Sequence, residues 1–367
     1  MSHAEPTSAP IPPHPIGKTG ILRILDAEAN RAAEGFRVVE DYVRFVLDDR
    51  HLTELAKHLR HDLTAALARL ATTDRLAARE PESDVGAVLA NPGPHRSSPA
   101  DVAAASFNRL QQALRSLEEY AKLVDTAMAA EVERIRFRSY SLQRAVGITA
   151  DSISRLAGAR LYVLVDGGAN QETFAGMIET LVSAGVHMFQ LRDKKLTDAQ
   201  LLARARILRE ITRRTPAPKS DVTPPLFIMN DRPDLAVLSG ADGVHVGQNE
   251  LSVKDARAIV GPHSLIGVST HYIDQARRAV LDGANYIGVG PTFPSQTKNF
   301  DSFTGLDFIR TVATEISLPA FAIGGITLEN VSQVISSGLS RIAVSSAIAG
   351  ALNPTTATRD FLAKLNS

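Results

Sequence analysis

Between residues 155 and 367 the chain alternates short apolar runs with longer stretches whose apolar positions recur at helical spacing. The runs fall at 161–165, 187–191, 226–230, 243–246, 265–269, 286–290, 320–323 and 341–345. Helical stretches lie between them, at about 171–184, 198–214, 232–239, 253–260, 273–282, 305–316, 328–337 and 354–365. Unbroken apolar runs suit strands covered on both faces, which is the condition of a parallel sheet. Eight such units in a little over 200 residues predict an α/β fold of the (β/α)8 TIM-barrel type. A doubly wound sheet is the alternative. In the barrel, chemistry belongs at the C-terminal ends of the strands.

The preceding region reads differently. From Ile21, apolar residues such as Leu25, Phe36, Val39, Val43 and Leu47 recur at helical spacing, and Asp26 is placed to cap the first helix. Further helices are expected at about 51–70, 101–124 and 128–146, with loop chemistry at Asn91, Pro92, Gly93 and Pro94. The expected organisation is therefore an all-helical domain over 19–150, then the barrel over 155–367. Residues 1–18 read as a disordered proline-rich tail, with Pro6, Pro10, Pro12, Pro13 and Pro15 and no apolar signal-peptide core.

The helical region carries a weak internal repeat. Asn30, Arg37, Glu40 and Tyr42 recur as Asn108, Arg115, Glu118 and Tyr120, at the same offsets of seven, ten and twelve from the asparagine. On a helical wheel, offset seven lies about 20° and offset ten about 80° from the start, so the Asn, Arg and Glu line one polar edge. Two such helices about a pseudo-twofold would either pair these charges internally or build a polar site, which Arg79, Asp84, Val85 and Gly86 would join.

Composition narrows the function classes. Forty basic and forty acidic residues cancel, so neither a nucleic acid nor a membrane surface is indicated as partner. No apolar run approaches the roughly 18 residues of a membrane span, and a cytoplasmic location is expected. The absence of cysteine excludes disulfides and thiolate-bound metals, leaving magnesium or no metal. A homo-oligomer stays open.

Polar residues collect at the predicted strand ends. Gln190, Arg192 and Lys194 alternate, so in a strand they would project an amide and two cations from one face towards an anionic ligand; the alternative is a strand end solvated in water. Strand 3 ends in Asn230, Asp231 and Arg232; strand 4 carries His245, then Gln248 and Glu250; strand 5 ends at Ser269, Thr270 and His271. Gly324 and Gly325 after strand 7, with Ser345 and Ser346 after strand 8, occupy the usual barrel phosphate site. Asp231 and Glu250 are oxygen donors suited to a Mg²⁺ that keeps waters and binds a diphosphate, or alternatively caps and ion-pair partners. The loop 291–303 has little to pack and would close over a substrate and deliver Lys298. The proline-rich segment 216–225 reads as a surface insertion without chemistry.

Seven motifs in order, Q-L-R-D-K, N-D-R, A-D-G-V-H-V-G-Q-x-E, G-V-S, G-P-T-F-x-S-x-T-K, I-G-G-I and V-S-S-A-I, closely resemble the thiamine-phosphate synthase family over about residues 158–350. The resemblance implies condensation of an aminomethylpyrimidinyl-methyl diphosphate with a thiazole phosphate to give thiamine monophosphate and pyrophosphate. Position by position, it implies that Gln190, Arg192, Lys194 and Asn230 bind the pyrimidine diphosphate and that Asp231 and Glu250 hold Mg²⁺. Ser269 would bond the departing pyrophosphate or the pyrimidine, and Lys298 the diphosphate. Ser295, Gln296 and Thr297, with Gly325, Ser345 and Ser346, would take the thiazole phosphate. Arg192, Lys194, Ser269 and Lys298 are thus the expected catalytic residues. Glu250 and Ser295 stand where the family usually has aspartate and threonine. The helical region resembles an extension found in some synthases and associated with phosphorylation of the pyrimidine monophosphate. A different barrel enzyme acting on a phosphorylated sugar or indole precursor, and a non-catalytic thiamine-pathway sensor, are the competing readings.

Overall fold

The computed structural model describes residues 15–79, 95–214, 224–294 and 304–366. Eight parallel strands close into a barrel in chain order: β1 (Leu161–Val165), β2 (Met188–Leu191), β3 (Leu226–Asn230), β4 (Gly243–Val246), β5 (Leu265–Thr270), β6 (Tyr286–Val289), β7 (Ala320–Ile323) and β8 (Ile342–Val344). The seam between β1 and β8 is parallel, with Val163 opposite Val344, so the doubly wound alternative is excluded. Each strand is only three to six residues long and almost wholly buried, as its unbroken apolar run requires.

Local chemistry sets where the flanking helices begin and end. In Gln171–Ala184, Asn170 accepts from the Thr173 amide at 2.9 Å as one half of a capping box. Gly185 stops that helix at φ +101°, a conformation that costs a residue without Cβ little. The barrel interior is filled by Tyr162, Met188, Ile228, Leu265, Tyr286, Phe321 and Ala343, with Leu156 and Ala159 completing the cluster. Tyr162 and Tyr286 each meet Phe321 edge to face, with ring centroids 5.4 and 5.6 Å apart, which fixes both phenols in the barrel core.

The chain divides into two compact units, Met1–Val46 with Thr53–Gln143, and Leu47–Leu52 with Arg144–Ser367. The helix expected to end near 146 runs unbroken as Thr126–Arg155, and its last turns belong to the barrel unit. There Ser152 accepts from Asn285 at 3.1 Å, while Asp49 accepts from the Ser317 amide at 2.8 Å. Burial pushes the Asp49 carboxyl up, against the backbone N–H groups that it accepts from.

The other unit is helical among its described residues. Its first helix is Pro15–Phe45 and therefore begins inside the stretch expected to be a tail; Asp26 is a buried residue in its middle rather than a cap. Asp26 takes the Arg79 guanidinium in a two-pronged ion pair, at 2.5 and 3.1 Å. A short helix at Thr72–Ala77, unexpected from the sequence, delivers Arg75 and precedes Arg79. Pro15–Phe45 packs against Pro99–Ala121 so closely at Gly35 that a Cβ there would lie 2.9 Å from Leu110 Cβ. Both glutamates of the repeat are ion-paired: Glu40 accepts from Arg60 at 2.9 Å, and Glu118 accepts from Arg136 at 2.7 Å. Arg115 is held by Glu118 and Glu119 of its own helix, at 2.7 and 2.6 Å. Asp84, Val85, Gly86 and the loop at 91–94 lie outside the described residues, as does 215–223 of the proline-rich insertion. Among the described residues no helix is long and apolar enough to cross a membrane.

Candidate active site

The C-terminal mouth of the barrel brings the strand-end residues together, though not all in the manner expected. β2 ends at Leu191, so only Gln190 of the Gln190, Arg192, Lys194 trio is in the strand. Gln190 is 3% exposed and faces the barrel core, where Nε2 donates to Tyr162 Oη at 2.6 Å. Arg192 and Lys194 stand in the turn that follows. That turn is built by Asp193, which accepts from the amides of Gly167, Lys195 and Leu196 at 3.0, 2.7 and 3.1 Å. Burial works to raise the Asp193 carboxyl, but these backbone donors outweigh it and leave it lowered, so it is a fixed anion between the two cations.

Beside this turn lies Asp231, immediately after β3. Lys194 Nζ is 3.7 Å from Asp231 Oδ2, and Asn230 Nδ2 donates to the same oxygen at 2.7 Å. Asp231 holds φ at +59°, a left-handed conformation that is uncommon for a residue bearing a Cβ and that recurs at functional sites. Its carboxyl is raised by burial and by the charge of Glu250, against Lys194 and Arg192. Glu250 is exposed and reaches back over Gly247, where a Cβ would collide with its carboxylate. Arg232 is taken up by other carboxylates: it bridges Asp198 and Asp234 at 2.6 and 2.7 Å. Among the described residues no three His, Cys, Asp or Glu side chains form a metal cluster.

Ser269, at the end of β5, is reached from below by a residue to which sequence reasoning gave no role. His245 Nε2 lies 2.9 Å from Ser269 Oγ, and His245 Nδ1 lies 3.2 Å from Tyr286 Oη. Tyr286 Oη is in turn 3.0 Å from Tyr162 Oη, the acceptor of Gln190. Burial drops His245 to about 4, so the ring is neutral at physiological pH, and it pushes both tyrosines upward, so they keep their protons. Tyr162 and Tyr286 read in the sequence as ordinary core aromatics. The available signal was positional: a tyrosine inside a barrel carries a hydroxyl that must find a partner.

Across the mouth, Gly324 and Gly325 adopt φ +99° and +64° against the segment 291–294. Phe293 N donates to Gly324 O at 3.0 Å, and a Cβ on Gly325 would lie 2.6 Å from Phe293 O. Ser345 Oγ donates to Leu164 O at 3.1 Å, tying β8 to β1, and Ser346 is exposed at the start of the short helix Ser346–Ala349. Ser295, Gln296, Thr297 and Lys298 lie outside the described residues.

Residues 161–348 match the family described as thiamine monophosphate synthase, and residues 23–145 match the ThiD2 family. A protein of Rhodopirellula baltica called thiamine-phosphate synthase is 46% identical over 340 residues, covering 90% of this chain and 88% of its own length. One of Gloeobacter violaceus with the same name is 42% identical, covering 94% of this chain and 97% of its own. The solved structure of a thiamine phosphate pyrophosphorylase from Pyrococcus furiosus is 29% identical and superposes with a TM-score of 0.50, over 57% of this chain and 96% of its own.

Proposed function

The chain belongs to the thiamine-phosphate synthase family, with a ThiD2 region ahead of the barrel, and from that membership we propose how its barrel mouth performs the reaction. It is a transferase of thiamine biosynthesis. The reaction joins the pyrimidine methyl diphosphate to the thiazole phosphate and releases pyrophosphate. Arg192, Lys194 and Lys298 bind the diphosphate, Gln190, Asn230 and Ser269 the pyrimidine end, and Ser295, Gln296, Thr297, Gly325, Ser345 and Ser346 the thiazole phosphate. The observation that carries this reading is the meeting of cations and carboxylates at the mouth: Lys194 lies 3.7 Å from Asp231, beside Arg192 and Glu250.

Asp231 and Glu250 fit a magnesium ion. Burial and the charge of Glu250 raise the Asp231 carboxyl, Asn230 orients it, and both side chains are hard oxygen donors. Bound there with the substrate diphosphate, Mg²⁺ would neutralise charge on the leaving oxygens. The rest falls to the chain's own groups. Arg192 and Lys194 bind the diphosphate as its ester oxygen takes the electron pair of the methylene carbon–oxygen bond. The electron-rich aminopyrimidine stabilises the methylene left behind, and the thiazole nitrogen, held through its own phosphate, donates the pair that forms the new carbon–nitrogen bond. No covalent enzyme intermediate is required, and positioning does most of the work.

A coupled pyrophosphate-release assay tests the proposal. Release should need both substrates and should fall to background with a chelator, returning on addition of Mg²⁺. Release with the pyrimidine substrate alone, or full activity in chelator, would overturn the assignments. Gly325→Ala should raise KM for the thiazole phosphate by tenfold or more, on the order of losing one or two hydrogen bonds to a charged group, because the new methyl would push the 291–294 segment away. An unchanged KM would remove Gly325 from the phosphate site. For the helical region, incubating the full chain with ATP and the pyrimidine monophosphate separates a kinase from an assembly module.

A further inference from the structure

Beneath the mouth, five side chains from five strands form an unbroken hydrogen-bonded line through the apolar core: Gln190, Tyr162, Tyr286, His245 and Ser269. One glycine makes room for it: a Cβ on Gly267 would fall on the Tyr286 ring. Buried polar groups at this depth cost stability unless each is paired, and apolar residues would fill a barrel as well. A line that joins two residues of the mouth is therefore a functional feature.

Its direction follows from counting protons. A phenol has one hydrogen to give. Gln190 Nε2 donates to Tyr162, so the Tyr162 hydrogen goes to Tyr286 and the Tyr286 hydrogen to His245 Nδ1. A neutral imidazole that accepts at Nδ1 carries its hydrogen on Nε2, which it donates to Ser269 Oγ. The Ser269 hydrogen is then left for a partner other than His245. We propose that this line is a directional relay, in which the amide orientation of Gln190 sets the tautomer of His245 and thereby makes Ser269 a hydrogen-bond donor towards the bound pyrimidine diphosphate. The donor role at Ser269 rests on the substrate assignment above; the relay itself does not. Tyr162, Tyr286 and His245 are positioning residues, acting through Gln190 and Ser269.

The relay predicts a signal at a distance. In the full chain labelled with ¹⁵N-histidine and free of substrate, the His245 resonances, identified by their loss in His245→Asn, should show a protonated Nε2 and a bare Nδ1. Gln190→Met keeps the side-chain volume but removes the donor, three hydrogen bonds away, and should move both nitrogens towards a tautomeric average. In a Tyr162→Phe background the line is cut, and Gln190→Met should move them no further. Thermal unfolding of each variant checks that the barrel is intact. A protonated Nδ1 in the unmodified protein, or His245 nitrogens indifferent to Gln190→Met in folded protein, overturns the relay. Kinetics then test the other half: Tyr286→Phe should lower kcat/KM for the pyrimidine diphosphate about tenfold, the scale of one hydrogen bond, and leave KM for the thiazole phosphate unchanged. Shifted nitrogens with unchanged kinetics would keep the relay and overturn Ser269 as a substrate contact.

Discussion

Arg192→Ala should lower turnover by about two decades, the scale of removing one preorganised charge stabiliser from a site where charge develops. The diphosphate can leave only if its growing charge is met, and Arg192 is the group there whose planar fork can grip two phosphate oxygens at once. It is half-buried, follows the buried Gln190 directly, and its amide donates to Val165 O at 2.9 Å, so its position is set by the barrel rather than by its own length. Lys194, by contrast, has a side chain 64% exposed and is close enough to Asp231 to be drawn away from substrate. Arg192→Lys should recover only part of the loss, because an ammonium keeps the charge without the fork. Lys298→Ala should match Arg192→Ala in direction and scale. Steady-state kinetics with both substrates check this, and near-normal turnover in both alanine variants would refute the diphosphate assignment.

Glu118→Ala should cost about 3–5 kcal/mol of stability, the range found when one partner of a buried ion pair is removed. Glu118 is 2% exposed and Arg136 7%, so the guanidinium would be left inside the helical unit without its carboxylate hydrogen bond, keeping Tyr140 Oη at 3.0 Å and the Phe137 ring. Replacing both members, Glu118→Leu with Arg136→Met, should cost much less, since the penalty arises from the uncompensated charge and not from the loss of attraction. Urea unfolding followed by circular dichroism measures the difference. A loss below about 1 kcal/mol for Glu118→Ala would mean that the pair behaves as a solvated surface contact.

The barrel was legible because parallel strands buried on both faces must be apolar throughout and must be separated by helices; eight runs then leave few arrangements. Asp26 shows the opposite case. An acidic residue near a helix start reads as a cap, yet its partners, Arg75 and Arg79, lie about fifty positions downstream and carry no local signature. The alternation of Gln190, Arg192 and Lys194 presumed a strand that contains the first of the three alone. The strand stops at Leu191, where Asp193 collects three amides, and that stop depends on Gly167 from another loop.

What the sequence determined by itself was the set of strand ends and their polar load, because period, length and turn chemistry are local properties. What only the tertiary structure decided was which of those groups meet. Tyr162 and Tyr286 lie 124 positions apart, and each alone is a core aromatic. Closure of the barrel brings their hydroxyls together between Gln190 and His245, and burial there leaves the imidazole neutral and the phenols protonated. A hydrogen-bond direction needs a continuous line of partners, and that line exists only after folding.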